Sequence, residues 1–253
     1  MIATMRFDTI AISIAAPVAE LRLSRPALRN PVDSRFLDEL EEAAALLHAD
    51  ATASVVLLTA EGDAFSSGAP QAEPARPRAT LPFRCLELMA QPVIALIEGD
   101  AIGAGLELAL ACDIRIAAKH ATFVMPSLAA GAAPSGGGTQ RLPRLIGRAR
   151  AAEMILLGEP MTASAALACG LVNHIAPAAG ARAAAERLAQ AIAARGPIAV
   201  RYAKEAILRG LDMPLEQALR YETDLTVILQ TTHDRAEGVR AFIEKRPPRF
   251  EGR

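Results

Sequence analysis

Gln91 to Ala118 reads Q-P-V-I-A-L-I-E-G-D-A-I-G-A-G-L-E-L-A-L-A-C-D-I-R-I-A-A, and the rest of the chain is best read outward from it. Val93 to Ile97 is an apolar run of strand length. Gly103-Ala104-Gly105 is a turn almost without side chains. Leu106 to Cys112 is short and apolar, as in a buried helix, and Asp113 to Ala117 returns to strand composition. One charged side chain, Glu107, stands inside the helix. Two readings are open. The turn serves close packing and Glu107 reaches solvent, or Glu107 is buried, which is expensive unless the carboxylate is paired or used. A helix N-terminus favours negative charge and offers free N–H groups, so a carboxylate one turn away is suited to proton transfer next to an anion-stabilising turn.

The sequence on either side has the same character. Ile10, Ile12 and Ile14 alternate with small or polar residues, as do Ala19, Leu21 and Leu23, which predicts a hairpin turning at Ala15-Ala16-Pro17. Arg25-Pro26 to Asn30-Pro31 is a loop. Asp33 is placed to cap a helix with Phe36, Leu40, Ala43 and Leu47 on one face. Val55 to Thr59 is a buried strand, followed by the small-residue segment Ala64 to Pro70. Pro70 to Pro82 holds four prolines and predicts an irregular, mobile surface loop. Further strands are expected at Ala121–Met125 and Leu171–Ile175, with helices over 150–157 and 163–169, the second capped by Thr162. Gly131 to Gly138 opens a helix at Thr139. It lacks the lysine of a phosphate-binding loop and the glycine spacing of a dinucleotide fold, and is better read as the wall of a pocket. From Ala181 onward the pattern is helical only, with Pro197 and Pro214 at helix starts, Gly210 closing one helix and Asp234 capping the last. Leu211, Leu215, Leu219, Leu225 and Ile228 make apolar stripes that need a partner surface.

Composition excludes several classes of function. The chain has 253 residues, is 52% hydrophobic and carries a formal net charge of −1, so it can bury a large core and predicts neither nucleic acid nor membrane as partner. Cys85, Cys112 and Cys169 have no metal or redox spacing, which fits free thiols in a reducing, cytoplasmic setting. His48, His120, His174 and His233 do not pair at ligand spacing, so no metal is expected. There is no Gly-x-Ser-x-Gly nucleophile elbow.

Several segments, in order and over nearly the whole chain, resemble the crotonase family of enoyl-CoA hydratases and isomerases. They are Leu23-Ser24-Arg25-Pro26 with Asn30; Ala64-Phe65-Ser66-Ser67-Gly68-Ala69; Pro92 to Ala95 with Gly99 and Ala101; and Gly103-Ala104-Gly105-Leu106-Glu107-Leu108-Ala109. They continue with Cys112-Asp113; Phe123 with Pro126; Gly131, Pro134 and Gly137 to Leu142; Ala168 to Val172; and Ala241 to Arg246. The resemblance implies an α/β fold, a crotonase-like spiral of repeated ββα units over 1–195 holding the acyl-CoA pocket. A C-terminal helical region over 196–253 would make trimers or dimers of trimers. It implies an acyl-CoA thioester as substrate, with coenzyme A entering only as part of it and no further cofactor.

By position, the resemblance assigns an oxyanion hole to the backbone N–H groups of Ala69 and Ala104, where many relatives have glycine at the second. It gives a contact role to Arg25, Ala27, Arg29, Ser67, Gly68, Gly103 and Lys245. It assigns acid–base catalysis to Glu107. The hydratase pattern has a second glutamate twenty positions after the first, directly after a proline, and here that residue is Ser127. Simple double-bond isomerases of the family also tend to keep that carboxylate. Pro70 stands where an acidic residue is common. Hydration is the leading expectation. The alternatives are one-carboxylate enolate chemistry such as isomerisation, or a non-catalytic acyl-CoA binder. RNA binding, known among relatives, is disfavoured by the neutral charge.

Overall fold

The computed structural model describes residues 3–70 and 82–253. Strands β1 (Ala3–Arg6), β2 (Ile10–Ala15) and β3 (Val18–Leu23) form an antiparallel meander in which Ile10 faces Leu23 and Ile12 faces Leu21. The alternation therefore puts the apolar residues on one face. Helix α1 (Ser34–Ala49) starts at Asp33, whose side chain accepts from Phe36 N at 2.9 Å, and buries Phe36, Leu40, Ala43 and Leu47. The chain then runs β4 (Val55–Ala60), β5 (Ala64–Ser66), α2 (Arg84–Glu87), β6 (Val93–Ile97), β7 (Asp100–Ile102) and α3 (Ala104–Leu110). It continues with β8 (Ile114–Ala118), β9 (Thr122–Val124), α4 (Gly138–Ile146), α5 (Arg148–Leu157), β10 (Met161–Thr162), α6 (Ala163–Ala168) and β11 (His174–Ala176). Helices α7 (Ala178–Ala193), α8 (Pro197–Gly210), α9 (Leu215–Leu229) and α10 (His233–Ile243) complete it.

Two sheets result, in the orders β1-β2-β3-β4-β6-β8-β11 and β10-β9-β7-β5. From β3 onward the large sheet is parallel, as are the β5–β7 and β7–β9 pairs of the small one. The chain places one strand in the large sheet, the next in the small sheet, then a helix: β4-β5-α2, β6-β7-α3, β8-β9-α4. Each repeat moves one position along both sheets, which generates a ββα spiral. The central strands are covered on both faces, as parallel strands usually are. Val93, Ala95 and Ile97 join the core under α1 and α3. Ile94 and Leu96 join a second cluster with Ala181, Ala185 and Ala189 of α7. Small alanines let α7 lie close on the sheet. Beyond it, α8–α10 bury little and expose Leu211, Leu215, Leu219, Phe242 and Ile243.

Three expectations move. The last strand is β11 at His174–Ala176 and not Leu171–Ile175. Asn173 Oδ1 accepts from Arg115 N and the Leu171 carbonyl accepts from Arg115 Nε, so pairing with β8 begins only afterwards. Helix α10 is capped by Thr232, whose hydroxyl accepts from Arg235 N, while Asp234 lies inside the first turn and accepts from the N–H groups of Glu251 and Gly252. β1, β5 and β7 are strands that the pattern did not announce, because three or four residues are too short to show a period. Of the Pro70–Pro82 loop, residues 71–81 lie outside the described residues.

Candidate active site

The loop after β3 and the segment after β5 are joined by backbone hydrogen bonds. Asn30 Nδ2 donates to the carbonyls of Glu61 and Ala64, and its Oδ1 accepts from Arg25 N. Ser66 Oγ donates to the Asn30 carbonyl at 2.7 Å and accepts from Gly68 N. Ser67 N donates to the Arg29 carbonyl, and Val32 N to that of Gly68. Gly68 has φ +82. A Cβ there would stand 2.5 Å from the Ile102 carbonyl oxygen and 3.4 Å from Ala104 N. Only glycine allows this left-handed turn and close approach together. The consequence is that the Gly68-Ala69 peptide runs beside the Gly103-Ala104 turn, which brings together the two backbone positions expected to grip a thioester oxygen. Ala104 is the first residue of α3, so its N–H has no intrahelical acceptor.

Helix α3 is only seven residues long, and Leu106, Leu108, Ala109 and Leu110 are buried around Glu107. Glu107 itself is 3% exposed, which removes the reading in which it reaches solvent. Its Oε1 accepts from Gly138 N at 2.7 Å and from Gly136 N at 2.8 Å. Burial pushes the carboxyl above its ordinary value, opposed by these N–H groups and by the charge of Arg141. Of Gly131–Gly138, read from sequence as a pocket wall, the last residues hold the carboxylate.

Ser127 starts a single 3-10 turn, Ser127–Ala130, directly after Pro126. This segment passes close to α3: Gly103 N donates to the Val124 carbonyl, and the Met125 methyl and the Glu107 carboxylate both lie against Gly138, 3.0 and 2.9 Å from where a Cβ on it would stand. The Ser127 side chain is half-buried, and its hydroxyl makes no hydrogen bond among the described residues.

The cations expected to contact the coenzyme A thioester are placed unequally. Arg25 Nη1 binds Asp33 at 2.5 Å and its Nη2 donates to the Pro31 carbonyl, so this guanidinium braces its own loop. Burial is the largest single effect on the Asp33 carboxyl and raises it, but the hydrogen bonds from Arg25 and Phe36 N and the Arg25 charge together outweigh it, and the net direction is down. Arg29, at φ 56, pairs with Asp100 at 2.7 Å and remains half-exposed. Ala27 lies in the exposed one-turn helix Pro26–Leu28. Lys245 is exposed just past α10, among the C-terminal helices. Two contributors escaped the sequence reading, Glu87 and Arg141. Arg141 Nη1 donates to the Gly136 carbonyl and its Nε to Glu87, both at 2.5 Å. Gly-Gly-Thr-Gln-Arg was visible as a motif, but the reach of Arg141 depends on α4 starting at Gly138. Among the described residues no cluster of His, Cys, Asp or Glu could hold a metal ion, and no helix is long and apolar enough to cross a membrane.

Comparison with known proteins places these features in context. Residues 13–253 match the sequence model of the family described as "Enoyl-CoA hydratase/isomerase". The chain is 36% identical over 252 residues to the 2,3-dehydroadipyl-CoA hydratase of Escherichia coli, covering 96% of this chain and 99% of that protein. It is 34% identical to the crotonyl-CoA hydratase of Syntrophomonas wolfei, covering 97% and 99%. Its fold superimposes on a crystal structure of enoyl-CoA hydratase from Bacillus anthracis with a TM-score of 0.91 at 37% identity, covering 97% of this chain and all of that one.

Proposed function

This chain belongs to the enoyl-CoA hydratase/isomerase family, and from that premise we propose that it adds water across the double bond of a 2-enoyl-CoA, with Glu107 as its working carboxylate. The observation that carries the reading is Glu107, buried and held by two N–H groups beside the adjoining Gly68-Ala69 and Gly103-Ala104 peptides. The N–H groups of Ala69 and Ala104 hold the thioester oxygen. As water bonds to the β-carbon, electrons move through the double bond onto that oxygen and form an enolate. Removing one such donor commonly costs about 3 kcal/mol of barrier. Ionised Glu107 takes the proton that the water loses, and the same carboxyl returns it to the α-carbon. The sum is one water added, with the carboxylate regenerated. A carboxyl raised by burial suits both halves of that transfer.

Ser127 favours a second reading, because a hydroxyl cannot act as a carboxylate at neutral pH. A single carboxylate can also move a proton between the α- and γ-carbons of an enoyl-CoA, shifting the double bond. Neither reading needs a cofactor beyond the coenzyme A of the substrate. We also propose that α8–α10 assemble the chain into trimers, since Leu211, Leu215 and Phe242 are 78%, 75% and 85% exposed in a single copy.

The test is to incubate purified protein with a panel of enoyl-CoA thioesters in heavy water and read the products by mass. Water gain with one α-deuterium is expected. Deuterium exchange without hydration selects the isomerase reading, and neither outcome in a folded, acyl-CoA-binding protein overturns both.

A further inference from the structure

The carboxylate of Glu107 is held by a segment that has little to hold it in turn. Ser135 is followed by three glycines, Gly136, Gly137 and Gly138, and a run without side chains loses much backbone freedom when it is ordered. What fixes it is Arg141. Its Nη1 donates to the Gly136 carbonyl at 2.5 Å, on the residue whose N–H donates to Glu107, so Gly136 is gripped at both ends. Its Nε donates to Glu87 of α2, and its side chain is 16% exposed. Arg141 N also donates to the Gly137 carbonyl. Gly137 has φ +102, and a Cβ there would fall 2.0 Å from Arg141 Nη1, so this arginine pose and a glycine at 137 require each other.

We propose that Arg141, braced by Glu87, is a positioning residue for Glu107: it fixes the glycine loop whose N–H groups aim the carboxylate. The proposal rests on reading Glu107 as the working carboxylate. Its physics is a chain of hydrogen bonds, Glu87 to Arg141 to Gly136 to Glu107, that ends on the group transferring the proton. The arginine acts twice, since a fixed loop keeps two N–H donors on Oε1 and its own charge favours the ionised form.

The other charged groups on elements around α3 are otherwise engaged. Arg84 lies 4.0 Å from Glu87, Asp100 pairs with Arg29, Asp113 pairs with Lys204, and Arg115 donates to backbone carbonyls. Among the described residues Arg141 exerts the leading charge effect on Glu107.

The test reads Glu107 directly, without substrate. The infrared carbonyl band of its protonated carboxyl is isolated by subtracting the spectrum of the matching Glu107→Gln protein and followed against pH. It is measured in the natural background, in Arg141→Met and in Arg141→Lys. In Arg141→Met the ionisation midpoint should move up, because charge and ordered donors are lost while burial remains. Turnover should fall about tenfold with KM little changed. Arg141→Lys keeps the charge but not the two-pronged fork, so it should shift the midpoint in the same direction by less. Should Arg141→Met fail to fold, the lysine variant decides alone. An unmoved midpoint in the folded variants overturns the proposal whatever the enzyme's reaction. A moved midpoint in a protein that hydrates nothing upholds it and sinks the hydratase reading instead.

Discussion

The two walls of this site are built differently. On the α3 wall, Glu107 is buried in a helix whose other buried residues are apolar or glycine, and it is held by two N–H groups. On the segment after β9, Ser127 begins a single 3-10 turn, half-buried, followed by Leu128 and alanines that face solvent. The first wall was formed by spiral packing and by a glycine loop pinned by Arg141. The second carries no ionisable group at the position where the family's hydratases carry one. On the proposed function, the fold keeps one half of an acid–base pair fully equipped while the other half is gone. The half that stays is the one wired into the core.

That asymmetry orders the expected effects. The largest is Glu107→Gln, which keeps shape and hydrogen-bond acceptor but cannot take a proton. Turnover on enoyl-CoA should fall by about 100- to 10,000-fold, read in a protein with unchanged circular dichroism. Next is Gly68→Ala. Its Cβ meets the Ile102 carbonyl at 2.5 Å from a left-handed backbone, so the peptide that carries the Ala69 N–H must move. Loss of one oxyanion donor corresponds to about 100-fold in kcat, measured against the acyl-CoA dissociation constant to separate binding from chemistry.

Third is Ser127→Glu, which makes the two walls alike. Two nearby carboxylates divide into one base and one acid, so crotonyl-CoA hydration should rise by about tenfold if acyl-CoA affinity holds. Unchanged hydration at unchanged affinity would mean that the pocket was rebuilt around serine for another substrate. The mildest effect is on stability. A carboxyl raised above its ordinary 4.5 contributes stability below that pH and loses it as pH rises through the folded value. Glu107→Gln removes this loss. Its melting temperature should therefore match or exceed that of the natural protein, by a margin that widens from about pH 5 upward and closes below it.

Much of this was legible in the sequence because period and punctuation carried it. Val93–Ile97, the Gly103-Ala104-Gly105 turn and the apolar residues around Glu107 specify a strand, a turn and a buried helix locally. The Asp33 cap and the alternation of β2 and β3 are local signals too. What was not legible depends on contacts far apart in the chain. Arg141 and Glu87 meet across 54 positions, and nothing local to either says that they support Glu107. Asp234 looked like a cap because the sequence pattern does not show the C-terminal tail folding back onto it. Arg25 looked like a free cation until the structure placed it against Asp33, eight positions on. Ser127 is the opposite case: the substitution is plain in the sequence, and the structure adds that the turn bearing it is half-open.

The central claim, that proton transfer runs on the α3 wall alone, is tested most directly by α-deuterium incorporation into an acyl-CoA thioester in heavy water, compared among the natural protein, Ser127→Ala and Glu107→Gln. Ser127→Ala should exchange within about threefold of the natural protein, while Glu107→Gln should lose exchange by at least about 100-fold. Exchange that survives in Glu107→Gln, or that Ser127→Ala abolishes as completely, would contradict it.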